Sequence, residues 1–207
     1  MSISNKRERL GWYFYDWANS AFPTTVITVF LGPYITSIAN NVAVNGQINV
    51  YGISIASGSY YPYLVSISVF LQVFFLPIIG SIADKTRAKK LILGITAYIG
   101  ALATLSLFFL DGNKYIFGGW MFVIANIAFG ASIVVYNSIL NDISTIDERD
   151  EVSSKGWAFG YIGGGLLLLI NLVFFSNAEN FGISTSDAVR ICLTSAGAWW
   201  AVFTLFP

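Results

Sequence analysis

Long apolar stretches dominate the sequence, and the short clusters between them hold most of its charged residues. An α-helix rises about 1.5 Å per residue, so about 20 apolar residues cross the roughly 30 Å hydrocarbon core of a bilayer. The chain is 56% hydrophobic and 11% charged, whereas about 25% of the residues of a typical soluble domain are charged. We therefore predict an all-α membrane protein, in which residues 1–207 form a bundle of six transmembrane helices.

The lengths of the apolar stretches place the helices. Residues 40–59, rich in Asn, Gly and Ser, are predicted to form a loop after the first helix. The last stretch is still apolar at Pro207, so we expect the sixth helix, and with it the chain, to be truncated there. The six helices are predicted at about residues 11–38, 60–82, 91–110, 116–140, 154–175 and 188–207.

Positive charges predict the orientation of the bundle. Nine of the 11 Lys and Arg residues precede the first helix or lie between helices two and three or four and five, and the other two are Lys114 and Arg190. Because Lys and Arg accumulate in cytoplasmic loops, the N-terminus is predicted to be cytoplasmic. We expect a multi-pass protein of the bacterial inner (plasma) membrane, or of the vacuolar membrane if the source is eukaryotic.

The residue content disfavours several classes of function. The chain has no histidine, the commonest metal ligand and general base, and one cysteine, Cys192, within an apolar stretch. No predicted span carries a pair of carboxylates, or a nucleophile beside a base. We therefore predict no enzyme activity, no catalytic residue, no metal site and no cofactor. The net charge of zero likewise argues against a nucleic-acid partner.

The segment between the second and third predicted helices reads GSIADKTRAKK from Gly80 to Lys90. It resembles the cytoplasmic signature of the major facilitator superfamily, G-x-x-x-D-[RK]-x-G-x-[RK]-[RK], although Arg87 stands where the pattern has Gly. The alternative is that any short cytoplasmic loop is basic. The resemblance implies a gating loop formed by Gly80, Asp84, Lys85, Arg87, Lys89 and Lys90.

Two further blocks carry a narrower resemblance. WYFYDWANSAF, from Trp12, and VSSKGWAFGYIGG, from Val152, look like the vacuole-effluxer, autophagy-related branch of that superfamily. The resemblance implies a transporter of two six-helix halves, of which this chain covers the N-terminal one. It also implies a lipid bilayer, a missing C-terminal six-helix half and a small solute as partners. Fungal members of the branch release amino acids from the vacuole, so amino acids are among the expected solutes.

Polar residues recur on one face of the first and of the fourth predicted helix, and the fifth helix adds Tyr161 and Asn171. They include Asp16 and Asn19 in the first helix, and Asn126 and Asn137 in the fourth. Polar side chains are costly in lipid, so we expect these faces to line a shared interior. Asp16 is either a proton-coupling group or an interfacial residue favoured by the helix dipole, and each asparagine contacts either solute or another helix. The candidates for solute contact or coupling are Asp16, Asn19, Ser20, Asn126, Asn137, Asn141, Tyr161 and Asn171.

The fifth predicted helix contains regularly spaced glycines, and an acidic segment precedes it. Gly156, Gly160 and Gly164 have the spacing of small residues that lets transmembrane helices pack closely, so we predict a packing role and not a phosphate-binding loop. The acidic segment 142–151 is predicted to form a solvated loop, with pairing to the basic loop as the alternative.

The function predicted from these features is secondary active transport of a small solute, by alternating access between two six-helix halves. In the superfamily, the first and fourth helices are equivalent members of two inverted repeats and line the central cavity. The alternative is a six-helix structural or assembly protein of the membrane, without transport activity.

Overall fold

The computed structural model describes residues 6–86 and 88–206, so Arg87 of the predicted gating loop and Pro207 lie outside the described residues. Within these residues the apolar stretches form helices, as predicted. The first is a continuous rod, residues 6–42, made of two α-helices joined by a π-helical segment, Phe22–Phe30. The α-helices are α1 (Lys6–Asn19), α2 (Leu31–Val42), α3 (Tyr60–Lys85), α4 (Lys89–Leu105), α5 (Tyr115–Ile143), α6 (Arg149–Ser176) and α7 (Thr185–Phe203).

Five of the described helical segments are long and apolar enough to cross a bilayer, namely 6–42, 57–85, 89–109, 115–143 and 146–176. The predicted sixth span corresponds to α7, which has 19 residues and is not among the five. Polar side chains in its first turns, including Asp187 and Arg190, lower its mean hydropathy. The helix is present and packs into the bundle through Cys192, Leu193 and Trp200, all fully buried.

Helix packing follows the pattern expected of two inverted three-helix repeats. The first repeat comprises the first rod, α3 and α4, and the second comprises α5, α6 and α7. The middle helix of each repeat packs against the first helix of the other, since α3 lies along α5 and α6 lies along α1. This exchange of partners is consistent with the predicted fold class, a six-helix half of a major-facilitator-type transporter.

The first rod changes its hydrogen-bonding pattern halfway along its length. Pro23, at the start of the π-helical segment, has no N–H to donate and therefore interrupts the α-helical ladder. The hydroxyl of Thr28 donates a hydrogen bond of 2.8 Å to the Pro23 carbonyl oxygen. π-Helical turns are rare and frequently mark functional sites.

The loop predicted at 40–59 is wrong at residues 40–42, where α2 continues, and at the eight residues that form the two strands of a β-hairpin. Strands β1 (Gln47–Val50) and β2 (Ile53–Ala56) are antiparallel and pair Val50 with Ile53. The two-residue turn between them has φ values of 53° at Tyr51 and 89° at Gly52, the left-handed backbone that suits the twist of a hairpin. The hairpin covers the ends of α3 and α5, where the Tyr115 hydroxyl donates to the Asn49 carbonyl oxygen at 2.7 Å.

Ion pairs join neighbouring elements at the end of the bundle opposite the hairpin, which is called the basic end below. Arg9 pairs with Glu148 at 2.7 Å, and Lys89 pairs with Asp142 at 2.7 Å. The acidic segment predicted to be a solvated loop is mostly helical, since α5 continues to Ile143 and α6 begins at Arg149. The pairing of Lys89 with Asp142 is the contact that the alternative interpretation expected. The other end is called the hairpin end.

Candidate functional site

The structure separates the eight candidates for solute contact into three groups. Asn19, Asn126 and Asn171 are buried inside the bundle. Asp16 and Ser20 are half-buried at the contact between α1 and α6. The remaining three are exposed on the surface of this half, and they are Asn137, Asn141 and Tyr161.

Two of the buried asparagines join neighbouring helices. The Asn126 amide nitrogen donates to the Ser68 hydroxyl of α3 at 2.7 Å, and Gln72 donates back to the Asn126 carbonyl oxygen at 3.0 Å. The Asn171 side-chain oxygen accepts a 3.0 Å hydrogen bond from Ser195 of α7. These are the interhelical hydrogen bonds that the sequence analysis gave as the alternative to solute contact.

Glycines bring α6 into direct contact with α1. A Cβ atom at Gly156 would lie 2.3 Å from the Trp12 ring, and one at Gly164 would lie 2.8 Å from the Ser20 carbonyl oxygen. A Cβ atom at Gly160 would lie 2.6 Å from an Asp16 carboxylate oxygen. Helices this close leave no space for larger side chains between them. The glycines therefore hold Asp16 and Ser20 directly against α6.

Aromatic side chains fix the position of α1 around this contact. The Trp12 ring stacks on Tyr136 of α5 with centroids 4.1 Å apart and an interplanar angle of 7°. The indole nitrogen of Trp12 also donates to the Tyr136 carbonyl oxygen at 2.9 Å. Trp12 therefore connects α1 to α5 and α6 at once, one helical turn from Asp16.

The exposed candidates lie outside these contacts. Tyr161 is 71% exposed, because it follows Gly160 by about 100° around α6 and so projects beside the contact with α1. Asn137 and Asn141 are exposed near the basic end of α5. The structure thus places Asp16, Ser20 and Tyr161 around one helix contact and the two asparagines on another helix.

A polar groove that the sequence analysis missed lies in the half of the first rod nearer the hairpin end. It has a volume of about 490 Å³ and is closed on one side by Tyr61 of α3. The Ser37 and Asn40 side chains of α2 are exposed along it. Thr36, Ser37 and Asn40 were a sequence signal for this face, but the first two were included in the predicted helix 11–38 and the third in the predicted loop, without a functional role. Its other lining residues on the first rod are Ile27, Thr28, Gly32, Pro33 and Thr36.

The described residues of the predicted gating loop lie at the basic end. Gly80 faces α5, where a Cβ atom would lie 3.2 Å from Val134, and Asp84 and Lys85 are exposed in a groove beside it. The Lys89 ammonium donates to the Ser138 carbonyl oxygen at 3.1 Å as well as pairing with Asp142. The loop therefore adjoins α5 at the level of Asn137 and Asn141. Lys90 is exposed on the first turn of α4.

The acidic side chains of the described segments do not gather into a metal site. No group of three or more His, Cys, Asp or Glu residues is placed to hold a metal ion in the described part of the chain. Arg190, at the hairpin end, pairs with Asp187 and lies 5.6 Å from the centroid of the Phe108 ring. Arg190 also lies 3.8 Å from an Asp111 carboxylate oxygen, so its contacts with Phe108 and Asp111 join α7 to the segment between α4 and α5.

Comparisons with known proteins agree with this architecture. The chain is 28% identical to an uncharacterized MFS-type transporter, YxiO, of Bacillus subtilis, over 96% of this chain and 45% of the relative. It is 24% identical to autophagy-related protein 22 of Chaetomium globosum, over 98% of this chain and 43% of the relative. Autophagy-related protein 22 of Pyricularia oryzae is also 24% identical, over 98% of this chain and 41% of the relative.

The chain spans less than half the length of these curated relatives. No solved structure matches it. The family described as vacuole effluxer Atg22 like matches residues 4–207, nearly the whole chain. The resemblance seen in the sequence is thereby confirmed, and the chain belongs to the Atg22-like vacuole effluxer family of membrane transporters.

Proposed function

We propose that this chain is the N-terminal half of a secondary active transporter that moves a small solute by alternating access, with amino acids among the candidate solutes. Membership of the effluxer family and the apolar helices support a role in membrane transport. The proposal adds to this a solute path along the first rod, completed by a second six-helix half.

The observation that carries the proposal is the exposed polar face of the first rod. Thr28, Ser37 and Asn40 are exposed in a segment that is otherwise apolar enough to cross a bilayer. Hydroxyl and amide groups at membrane depth are costly in lipid and face protein or a water-filled path instead. Neutral hydrogen-bonding groups of this kind suit a small polar solute.

The exposed apolar faces of α3 and α6 support a second half as partner. Phe70, Phe74 and Ile78 of α3 and Ile162 and Leu169 of α6 are about half exposed or more. Large apolar faces of this kind are covered either by lipid or by further protein. The relatives are more than twice as long as the matched region, which leaves room for six further helices.

Asp16 is the proposed coupling group. It lies in a span, half-buried against Gly160, and its carboxylate has no hydrogen-bond donor among the described residues. An acidic side chain within a transmembrane segment is typical of proton relays in transporters. Proton binding at Asp16 would therefore be linked to the packing of α1 against α6.

The gating loop and the orientation complete the proposal. Asp84 and the basic residues around it would restrain the basic end when the path is closed there. The charge asymmetry supports an orientation with that end on the cytoplasmic face of a bacterial inner membrane or, in a eukaryote, of the vacuolar membrane. Labelling of Lys85→Cys and Lys114→Cys in intact cells with an impermeant reagent tests this. Reaction at position 85 alone would mean that the bundle has the opposite orientation in the membrane.

Solute counterflow in liposomes tests the proposed path. The protein, assembled with its second half, should exchange a solute identified by thermal stabilisation, because a ligand that binds only the folded state raises its stability. Ser37→Trp should reduce exchange at least tenfold, since the indole would fill the polar groove. The control is Leu102→Trp, on the exposed apolar surface of α4, which should leave exchange unchanged. Equal exchange by both variants would mean that the first rod does not line the solute path.

A further inference from the structure

An apolar pocket, called the hairpin pocket below, lies between the β-hairpin and the helices α3 and α5. It has a volume of about 410 Å³, which is within the range of small-molecule sites in proteins. Val50, Ile53 and Ile55 of the hairpin form its roof, because Ile53 pairs with Val50 and alternate residues of a strand share a face. Leu64 of α3 and Val123 of α5 line its interior and are 8% and 3% exposed.

Hydrogen bonds within the protein occupy polar atoms in the wall of the hairpin pocket. The Trp120 indole nitrogen donates to the Tyr51 hydroxyl at 2.7 Å, and the Tyr60 hydroxyl donates to the Tyr115 carbonyl oxygen at 3.0 Å. The other side chains that line the pocket are mostly aliphatic. A space of this kind gives water few partners and takes up apolar molecules. The hairpin pocket therefore favours an apolar occupant.

The mouth of the hairpin pocket lies at the boundary of the membrane-spanning segments. Tyr60 and Tyr115 are the first residues of α3 and α5, which belong to two of the segments that are long and apolar enough to cross a bilayer. Trp120 is 49% exposed and Tyr51 is 69% exposed. Trp and Tyr side chains concentrate where the lipid headgroups meet the hydrocarbon. The pocket therefore opens at the depth where the acyl chains of lipids begin.

The hairpin pocket is continuous with the outer surface of α3. Ile67 lines the pocket and is 49% exposed. Phe70 and Phe74 follow it at intervals of three and four residues, so they continue the same face, and they are 62% and 56% exposed. Since α3 belongs to a segment that can cross a bilayer, an apolar chain can lie partly in the pocket and partly in the hydrocarbon without crossing a polar layer.

We propose that the hairpin pocket binds one acyl chain of a membrane phospholipid. The chain starts beside Tyr51, packs against Leu64 and Val123, and leaves the pocket along Ile67 towards the centre of the bilayer. The Tyr51 hydroxyl, which accepts from Trp120, donates its own proton to an ester or phosphate oxygen of the same lipid. The bound chain thereby joins the hairpin to α3 and α5. This binding does not depend on the proposed transport function.

Photolabelling by a phospholipid tests the proposal. The protein, assembled with its second half, is placed in phosphatidylcholine vesicles that contain a phosphatidylcholine with a diazirine group in one acyl chain, and mass spectrometry locates the label. We expect label on Leu64 and Val123, which lipids around the outer surface do not reach because both are buried. Leu102, 60% exposed on α4, reports that the probe has reached the protein. Label on Leu102 without label on Leu64 or Val123 would overturn the proposal, whether the pocket is empty or covered by the second half.

Two variants of α3 show whether the label depends on the hairpin pocket. Ile67→Trp should lower the labelling of Val123 roughly fivefold or more, because the indole fills the space of the chain and overpacking is unfavourable. The matched control is Val69→Trp, since Val69 is 51% exposed on the same helix but does not line the pocket. That variant should leave the labelling of Val123 unchanged. Equal labelling of Val123 in both variants, at equal labelling of Leu102, would contradict binding in the pocket.

Discussion

Single glycines set the distance between α1 and α6. Gly164 lies against the backbone of α1, with the Ser20 carbonyl oxygen 2.8 Å from the position of a Cβ atom, whereas the adjacent Gly165 has nothing within 4 Å of that position. Backbone cannot move aside as a flexible side chain can, so a methyl group at 164 must push the helices apart. Comparing the same substitution at Gly164 and at Gly165 therefore separates the effect of helix packing from the effect of helix propensity.

We predict that Gly164→Ala destabilises the bundle by about 1–3 kcal/mol, the usual cost of overpacking. Gly165→Ala is the matched control and should be neutral or stabilise by up to about 1 kcal/mol, because alanine favours the helix. Unfolding in detergent with increasing denaturant measures both. A loss of stability in Gly165→Ala as large as that in Gly164→Ala would argue against a close contact at Gly164.

A substitution at Asp16 tests the proposed proton coupling. Asn has nearly the same shape as Asp, so Asp16→Asn should fit against Gly160 and keep the contact between α1 and α6. It cannot bind and release a proton, so we predict loss of pH-driven solute accumulation while solute exchange at equal pH is retained. Flux in liposomes with and without a pH gradient measures the two activities. Persistent pH dependence would limit Asp16 to a structural role.

Side-chain environment is what the sequence predicted least well. Asn126 and Asn137 share a helical face, since 11 residues complete three turns, yet Asn126 is buried against α3 and Asn137 is exposed. The contact with α3 passes from Asn126 through Gly130 to Val134. Steps of four residues drift by about 40° each around a helix, so the contact leaves the face of Asn137. The crossing angle of two helices is not visible in one sequence.

At the scale of elements, helices were predicted well and the hairpin was not. The number and type of the long helices follow from apolar length alone. Their ends extend into charged segments, as at Arg149 and Lys85, because Lys, Arg and Glu are good helix formers outside the lipid. In the hairpin, Ile48 and Val50 alternate with polar residues, a strand signal that the Asn and Gly content of the segment obscured.

The predicted gating loop between α3 and α4 can be tested by removing the charge of Asp84. We predict that Asp84→Asn leaves the protein inserted but slows solute flux at least threefold, because the loop loses a charged restraint while apolar surfaces are unchanged. The control is Asp147→Asn, an exposed carboxylate at the same end but outside the loop signature. Flux is measured at matched protein amounts. Equal flux from the two variants would mean that this loop is merely basic.

At the scale of the whole molecule, the proposed function requires a second half that covers exposed faces of this bundle. Polar groups of the first rod and apolar groups of α3 and α6 are exposed together on this bundle. In a transporter that works by rocking two bundles, each half covers the path-facing surface of the other. Without that cover, any exposed polar group of the first rod at membrane depth would face lipid, where unpaired polar groups each cost on the order of a kilocalorie or more.

The most direct test reconstitutes residues 1–207 in liposomes, alone and together with a second six-helix half, and measures solute flux. We predict no flux from residues 1–207 alone, together with self-association or aggregation, and solute-dependent flux when the second half is present. The mass of each reconstituted species identifies what carries the flux. Flux from a stable dimer of the short chain would contradict the requirement for a second half. If the complete assembly transported none of the solutes that stabilise it, the proposed transport function would be contradicted.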